Sequence, residues 1–192
     1  MYDTLRSGGY NFSFVGSCID LSEGKLWQYY EGWGSRTVQD ILRTVAVRAL
    51  TAWAPDVVLL QIGTNNFAWG GTDVQGALRA YDSLLTVITA AKPEPALLVA
   101  PILPLPGNSR VDPFNAGVKK KVDSLASLGR RITWVSEMEA IDASRISPDK
   151  VHPYCSAYPV IAGAWYQAIR RKTDATSMES DGILRDPARR SP

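Results

Sequence analysis

The sequence predicts an α/β protein, a parallel sheet sandwiched between helices in three layers. Two runs of strand length, Val57-Val58-Leu59-Leu60 with Ile62, and Ala96-Leu97-Leu98-Val99-Ala100, are apolar without alternation. Such runs are strands covered on both faces, which is the habit of parallel sheets. Segments with apolar residues every three or four positions alternate with them, and strand–helix alternation builds right-handed crossovers between parallel strands. Pro55 bounds the first helical stripe, and Pro93 and Pro95 the second.

The elements follow in order. Met1 to Arg6 reads as the last turns of a helix stopped by Gly8-Gly9, with no cap and no strand ahead of it. Tyr10 to Gly16 alternates aromatic and polar residues, the pattern of a half-buried edge strand. Residues 17–36 read as loop and hold Trp27, Tyr29, Tyr30 and Trp33. Thr37-Val38-Gln39-Asp40 resembles a capping box with Asp in place of Glu. Val38, Ile41, Leu42, Val45, Ala49, Leu50 and Trp53 then keep helical spacing up to Pro55. After the strand at 56–62 comes a loop containing Trp69-Gly70-Gly71. Thr72-Asp73-Val74-Gln75 reads as a second capping box, opening a helix whose stripe runs from Val74 through Tyr81 and Ile88 to about Ala91, where Pro93 and Pro95 break it. Asp112-Pro113 starts a third helix with Pro at its first position, and Gly129 ends it. Ile132 to Val135 is a short strand, and residues 136–156 are mostly loop. A last helix carries Ala157, Val160, Ile161, Ala164, Trp165 and Ala168, with Pro159 in its first turn. Four strands are expected, near residues 11–16, 56–62, 96–101 and 131–135. One domain is expected over residues 1–171, and the polar residues 172–192 are expected to be a disordered tail.

Composition closes off several functions. The net charge is +2, with no long basic run, which gives no argument for nucleic acid. No stretch is long and apolar enough to span a bilayer, and Met1 to Arg6 lacks the apolar core of a signal peptide. Cys18 and Cys155 are too few for a disulfide framework and lack metal-ligand spacing. His152 is the only histidine, so a multi-histidine metal site is excluded. No Gly-rich phosphate loop follows a strand, so no nucleotide cofactor is expected.

Ligands in open α/β sheets bind beyond the carboxyl ends of the strands. Three stretches fall there: Glu31-Gly32-Trp33-Gly34-Ser35, Gly63-Thr64-Asn65-Asn66, and Asp149-Lys150-Val151-His152-Pro153. Acyl transfer needs an imidazole to move a proton, a carboxylate to hold its tautomer, and donors aimed at the developing oxyanion. These stretches offer each of them. Singly they carry little: Asn65 and Asn66 could serve only as an Asx-turn, and a lone histidine is more often structural.

In combination, Gly-Thr-Asn-Asn after an apolar strand and Asp-x-x-His-Pro near the C-terminus resemble the SGNH (GDSL-type) hydrolase and esterase superfamily. The likeness extends through Tyr2-Asp3 to Ser17, Glu31-Gly32-Trp33 and Ala164-Trp165-Tyr166, over residues 1–171. It is nearest to the carbohydrate-esterase branch that includes acetylxylan esterases. The resemblance implies a flavodoxin-like α/β/α fold and a serine ester hydrolase that uses no cofactor or metal, acting on acyl esters such as acetylated carbohydrate. Asp149 and His152 would be triad members. Asn65 and the backbone of Ser35, or of Gly34 with a slipped loop, would form the oxyanion hole. Trp33 and Trp69 would stack on a sugar face. Family members are often secreted, which leaves a Cys18–Cys155 disulfide open.

Three departures stand out. The last carboxylate of the family's Gly-Thr-Asn-Asp block is the amide Asn66, and Ser35 stands where the family has Gly. The Gly-Asp-Ser block that supplies the nucleophile occurs nowhere, and Gly16-Ser17, Gly34-Ser35 and Gly107-Asn108-Ser109 do not replace it. The family's strand order, 2-1-3-4-5, puts the strand bearing that block between residues 11–16 and 56–62. A groove is therefore expected between those two segments. Four large aliphatics would stabilise the fold by about 6–12 kcal/mol at about 1.5–3 kcal/mol each, comparable to a whole domain's roughly 5–15 kcal/mol. The reading expects the serine to lie upstream of Met1 in a longer natural chain and the chain as written to be inactive. The alternatives are a decayed gene and a non-catalytic module that binds acylated carbohydrate.

Overall fold

In the computed structural model the described residues are 2–20, 28–69 and 71–177. Trp27, Gly70 and residues 178–192 of the expected tail lie outside them. The chain runs through α1 (Tyr2–Ser7), β1 (Cys18–Asp20), β2 (Gln28–Tyr30), α2 (Val38–Thr44), α3 (Ala46–Trp53), β3 (Val57–Leu60) and α4 (Thr64–Ala68). It continues through α5 (Val74–Ala90), β4 (Ala96–Val99), α6 (Val111–Ser127), β5 (Ile132–Trp134) and α7 (Tyr158–Ser177). Strands β3, β4 and β5 form a parallel sheet in that order, with Val57 opposite Ala96 and Leu97 opposite Ile132.

The apolar runs do what their lack of alternation requires. Leu97 and Val99 of β4 join one core with Val38, Tyr81, Leu85, Phe114 and Val118, from α2, α5 and α6. Leu98 and Ala100 join a second core on the other face with Leu5, Trp165, Ala168 and Ile169, from α1 and α7. A central strand with consecutive residues in two cores makes three layers. Strand β4 is buried throughout, whereas every residue of β3 is only half-buried. The cause is position: β3 is the edge of the sheet.

The expected strand at 11–16 does not form. Residues 11–16 form neither helix nor strand, yet Phe12 and Phe14 pack onto the second core, where Phe12 meets Phe14 edge-to-face at 5.2 Å and Tyr2 at 5.3 Å. Alternation fixed which side chains are covered, but a strand also needs a ladder partner. Instead of pairing, this segment and β3 face each other across a groove of about 930 Å³. The stretch 17–36, read as loop, contains the antiparallel pair β1–β2, with Cys18 opposite Tyr30. Three-residue strands are too short to declare a period.

Other differences are local. The helix expected over 38–53 breaks at Val45 (φ −119°, ψ −51°) into α2 and α3, and α5 is capped by Asp73, which accepts from Gly76 N at 2.7 Å, not by Thr72. Helix α6 begins at Val111, which leaves Pro113 at its third position, where the absent N–H still costs no helical hydrogen bond. Three 3₁₀ turns punctuate residues 136–157, and α7 continues to Ser177. Cys18 and Cys155 are free thiols. Among the described residues, no helix is long and apolar enough to cross a membrane.

Candidate functional site

Parallel strands place the segments that follow β3, β4 and β5 at one edge of the sheet. The turn out of β3 depends on Gly63, whose φ is +127°. A Cβ there would lie 2.7 Å from the ring of buried Phe114, so glycine meets both a torsional and a steric demand. The chain passes directly from it into α4, which presents Asn65 and Asn66.

Among the described residues, neither carboxamide closes an Asx-turn; both reach back to the start of α2. Asn66 is fully buried. Its Oδ1 accepts from Val38 N at 3.0 Å, and its Nδ2 donates to Gln39 Oε1 at 2.7 Å. An aspartate could accept the first bond but not donate the second, so Gln39 and Asn66 form a matched pair. Asn65 is more exposed and donates from Nδ2 to the Arg36 carbonyl at 3.0 Å. That bond ties α4 to the loop holding Gly34 and Ser35. Ser35 has φ +60°, and Gly34 is absent from the positive-φ residues. The left-handed position of this loop is therefore filled by a serine, at a cost of about 1–2 kcal/mol relative to glycine. The loop is anchored on its far side by the Thr37 capping box, in which the Asp40 carboxylate accepts from Thr37 N at 3.0 Å.

Asp149 and His152 lie in a tight loop beyond β5. Ser147 N donates to the His152 carbonyl at 2.8 Å, Tyr154 N donates to the Arg145 carbonyl at 2.9 Å, and Lys150 takes φ +64° to make the turn. Asp149 Oδ1 accepts from Val151 N and His152 N, both at 2.9 Å, and from Ser147 Oγ at 2.7 Å. Its Oδ2 lies 2.7 Å from His152 Nδ1. The backbone bonds from Val151 and His152, then the Ser147 hydroxyl and the imidazole, hold the Asp149 carboxyl far below the usual aspartate range. An ionised carboxylate only accepts, so the neutral imidazole carries its proton on Nδ1 and presents a lone pair on Nε2. Among the described residues, no hydrogen bond reaches Nε2, and none joins this pair to Asn65 or to the loop at 34–36. Ser147 was not anticipated; its signal was the Ser-x-Asp spacing that lets a hydroxyl reach a carboxylate two residues on.

Glu31 was also missed as a hub. Its carboxylate accepts from Ser17 N at 2.9 Å, Ser17 Oγ at 2.8 Å, Trp33 Nε1 at 2.8 Å and Trp53 Nε1 at 3.2 Å. Partial burial pushes the Glu31 carboxyl up, but the bonds from Trp33, Ser17 and Trp53 outweigh it and leave it below the usual range. Arg48 lies over the Trp33 ring at 5.9 Å. Trp33 lines the groove, as does Asn65, and its indole N–H is held by Glu31. Trp69 is 72% exposed.

The fold is a three-layer α/β/α sheet, with the Asp149–His152 pair and Asn65 in segments that follow its strands. The chain belongs to the GDSL-like lipase/acylhydrolase family, whose sequence model matches residues 14–153. It is similar to a multidomain esterase of Ruminococcus flavefaciens, with 27% identity over 125 residues; this is 61% of the present chain and 16% of that protein. The chain thus spans about a sixth of that relative's length. Among solved structures it resembles a family 3 carbohydrate esterase of Clostridium thermocellum (TM-score 0.73, 28% identity, 86% of this chain and 81% of that one). It also shares its fold with an acetyl esterase solved with acetate ion (TM-score 0.79, 22% identity, 91% and 89%). These relatives and neighbours are themselves named as esterases.

Proposed function

We propose that this chain carries the proton-transfer and oxyanion-binding parts of a serine esterase for acyl groups, acetyl groups on carbohydrate foremost. The Asp149–His152 pair is the observation that supports it most. His152 Nε2 would take the proton of the attacking hydroxyl and return it to the leaving alcohol, while the Asp149 carboxylate stabilises the imidazolium. The second N–H of Asn65 Nδ2, left over from the bond to Arg36, would donate to the tetrahedral oxyanion, with backbone N–H groups at Gly34 or Ser35 beside it. Acetylated carbohydrate is suggested by the names of the neighbours and by Trp33 along the groove. No Gly-Asp-Ser block is present, so in this reading residues 1–192 alone supply no nucleophile.

Hydrolysis of p-nitrophenyl acetate tests the reading. Residues 1–192 should show no turnover above background. Adding a Gly-Asp-Ser-bearing strand ahead of Met1 should switch turnover on, and His152→Ala should switch it off again. Turnover by residues 1–192 that Ser17→Ala or Ser35→Ala abolishes would refute it. An extended chain that stays inactive yet binds acetylated xylo-oligosaccharide would favour the second reading, a binding module, which the missing block supports.

A further inference from the structure

The Asp149–His152 pair stands in the open. The Asp149 side chain is 49% exposed and that of His152 69%, so packing does not shield the pair from competing water. Hydrogen bonds within residues 145–154 hold it instead. Ser147-Pro148-Asp149-Lys150 is a turn closed by Lys150 N, which donates to the Ser147 carbonyl at 2.9 Å. Ser at its first position and Pro at its second are what such turns prefer. Lys150, at φ +64°, then brings the chain back, and a bridge between Ile146 and Pro153 joins the two arms of the loop.

Ser147 spends every polar group it has inside this loop. Its N–H donates to the His152 carbonyl at 2.8 Å, its carbonyl accepts from Lys150 N, and its hydroxyl donates to Asp149 Oδ1 at 2.7 Å. A serine that served the turn alone would turn its hydroxyl onto nearby backbone. Among the described residues, this hydroxyl has a side-chain partner and no backbone partner. The two oxygens of Asp149 are also used unequally. Oδ1 takes Val151 N, His152 N and the Ser147 hydroxyl, whereas Oδ2 takes His152 Nδ1 alone. Each carboxylate oxygen offers about two lone pairs, so Oδ1 is saturated. Both of its backbone donors come from the returning arm, and the hydroxyl is the one donor from the entering arm. Two neighbouring N–H groups locate Oδ1. The third donor opposes a swing of the carboxylate about Cβ–Cγ, which would carry Oδ2 off Nδ1.

We infer that Ser147 is a positioning residue for the Asp149–His152 pair. Its hydroxyl fixes the plane of the carboxylate, so that Oδ2 stays on Nδ1 and the lone pair on Nε2 stays available for the proton of the attacking hydroxyl. This role deepens the catalytic reading above and rests on it.

The test is Ser147→Ala, which removes the hydroxyl and keeps both of the residue's backbone bonds. His152 is the only histidine, so a long-range nitrogen–proton NMR spectrum of residues 1–192 reads its ring without overlap. At about pH 9, where an imidazole is neutral, the parent should carry its proton on Nδ1. In Ser147→Ala the ratio of the Nδ1–H to the Nε2–H form should fall at least about twofold, the low end of what one hydrogen bond is worth. Ser147→Thr keeps a hydroxyl and should restore the parent ratio. With the Gly-Asp-Ser-bearing strand added ahead of Met1, Ser147→Ala should lower kcat for p-nitrophenyl acetate about tenfold at unchanged KM, because Ser147 touches no part of the ester. An unchanged tautomer ratio in Ser147→Ala overturns the inference, as does a shift that Ser147→Thr does not reverse. A shifted ratio with an unchanged kcat overturns it too. A shifted and rescued ratio in an extended chain that shows no turnover at all would uphold the hold of Ser147 on the pair and refute the catalytic reading instead.

Discussion

Replacing Asn66 by alanine should destabilise the protein far more than the same change at Asn65. Asn66 is fully buried and holds two hydrogen bonds, from Val38 N at 3.0 Å and to Gln39 Oε1 at 2.7 Å. Val38 is the first residue of α2 and is itself fully buried, so its N–H has no helical partner and no route to water. Truncation leaves that donor unsatisfied at about 1–3 kcal/mol and forfeits the Gln39 bond at about 0.5–1.5 kcal/mol. The sum is about 1.5–4.5 kcal/mol, a large share of a domain's roughly 5–15 kcal/mol. Asn65 is half-buried and donates once, in a solvent-exposed bond to Arg36 O, so Asn65→Ala should cost about 1 kcal/mol or less. Urea unfolding of both variants measures this: Asn66→Ala should lower the midpoint at unchanged m-value, and Asn65→Ala should barely move it. Equal shifts, or a larger shift at Asn65, would show that the neighbouring carboxamides do not divide their work as the hydrogen bonds indicate.

Two further outcomes follow. Gly63→Ala forces a Cβ to within 2.7 Å of the buried Phe114 ring at φ +127°, and should destabilise by about 2 kcal/mol or more; a thermal midpoint within 1 °C of the parent would contradict it. The depressed Asp149 carboxyl is stabilising above the ordinary aspartate value of 3.8, and that contribution is lost as pH falls from there toward its folded-state value. Stability measured from pH 6 down to pH 2 should therefore fall more steeply in the parent than in Asp149→Asn, and parallel slopes would refute the role of those hydrogen bonds.

Much of this molecule is local in origin. The unbroken aliphatic runs determined β3 and β4, the stripes determined α5 and the body of α6, and the Asp-x-x-His spacing brings Asp149 within 2.7 Å of His152 inside a single turn. Such features depend on neighbours a few residues away and can be read along the chain. Residues 11–16 show the limit of that reading. Their alternation correctly placed Phe12 and Phe14 on the core side, yet whether they form a strand depended on a ladder partner elsewhere in space. Likewise the half-burial of β3 depended on its place at the sheet edge, not on its composition. The Asn66–Gln39 and Asn65–Arg36 bonds and the gathering of Ser17, Trp33 and Trp53 on Glu31 join residues 14 to 29 apart, with Trp33 the one close neighbour. No periodicity encodes such pairings, because hydrogen-bonding partners are chosen by the packing of α2, α3 and α4 against the sheet. Only the tertiary structure decided them.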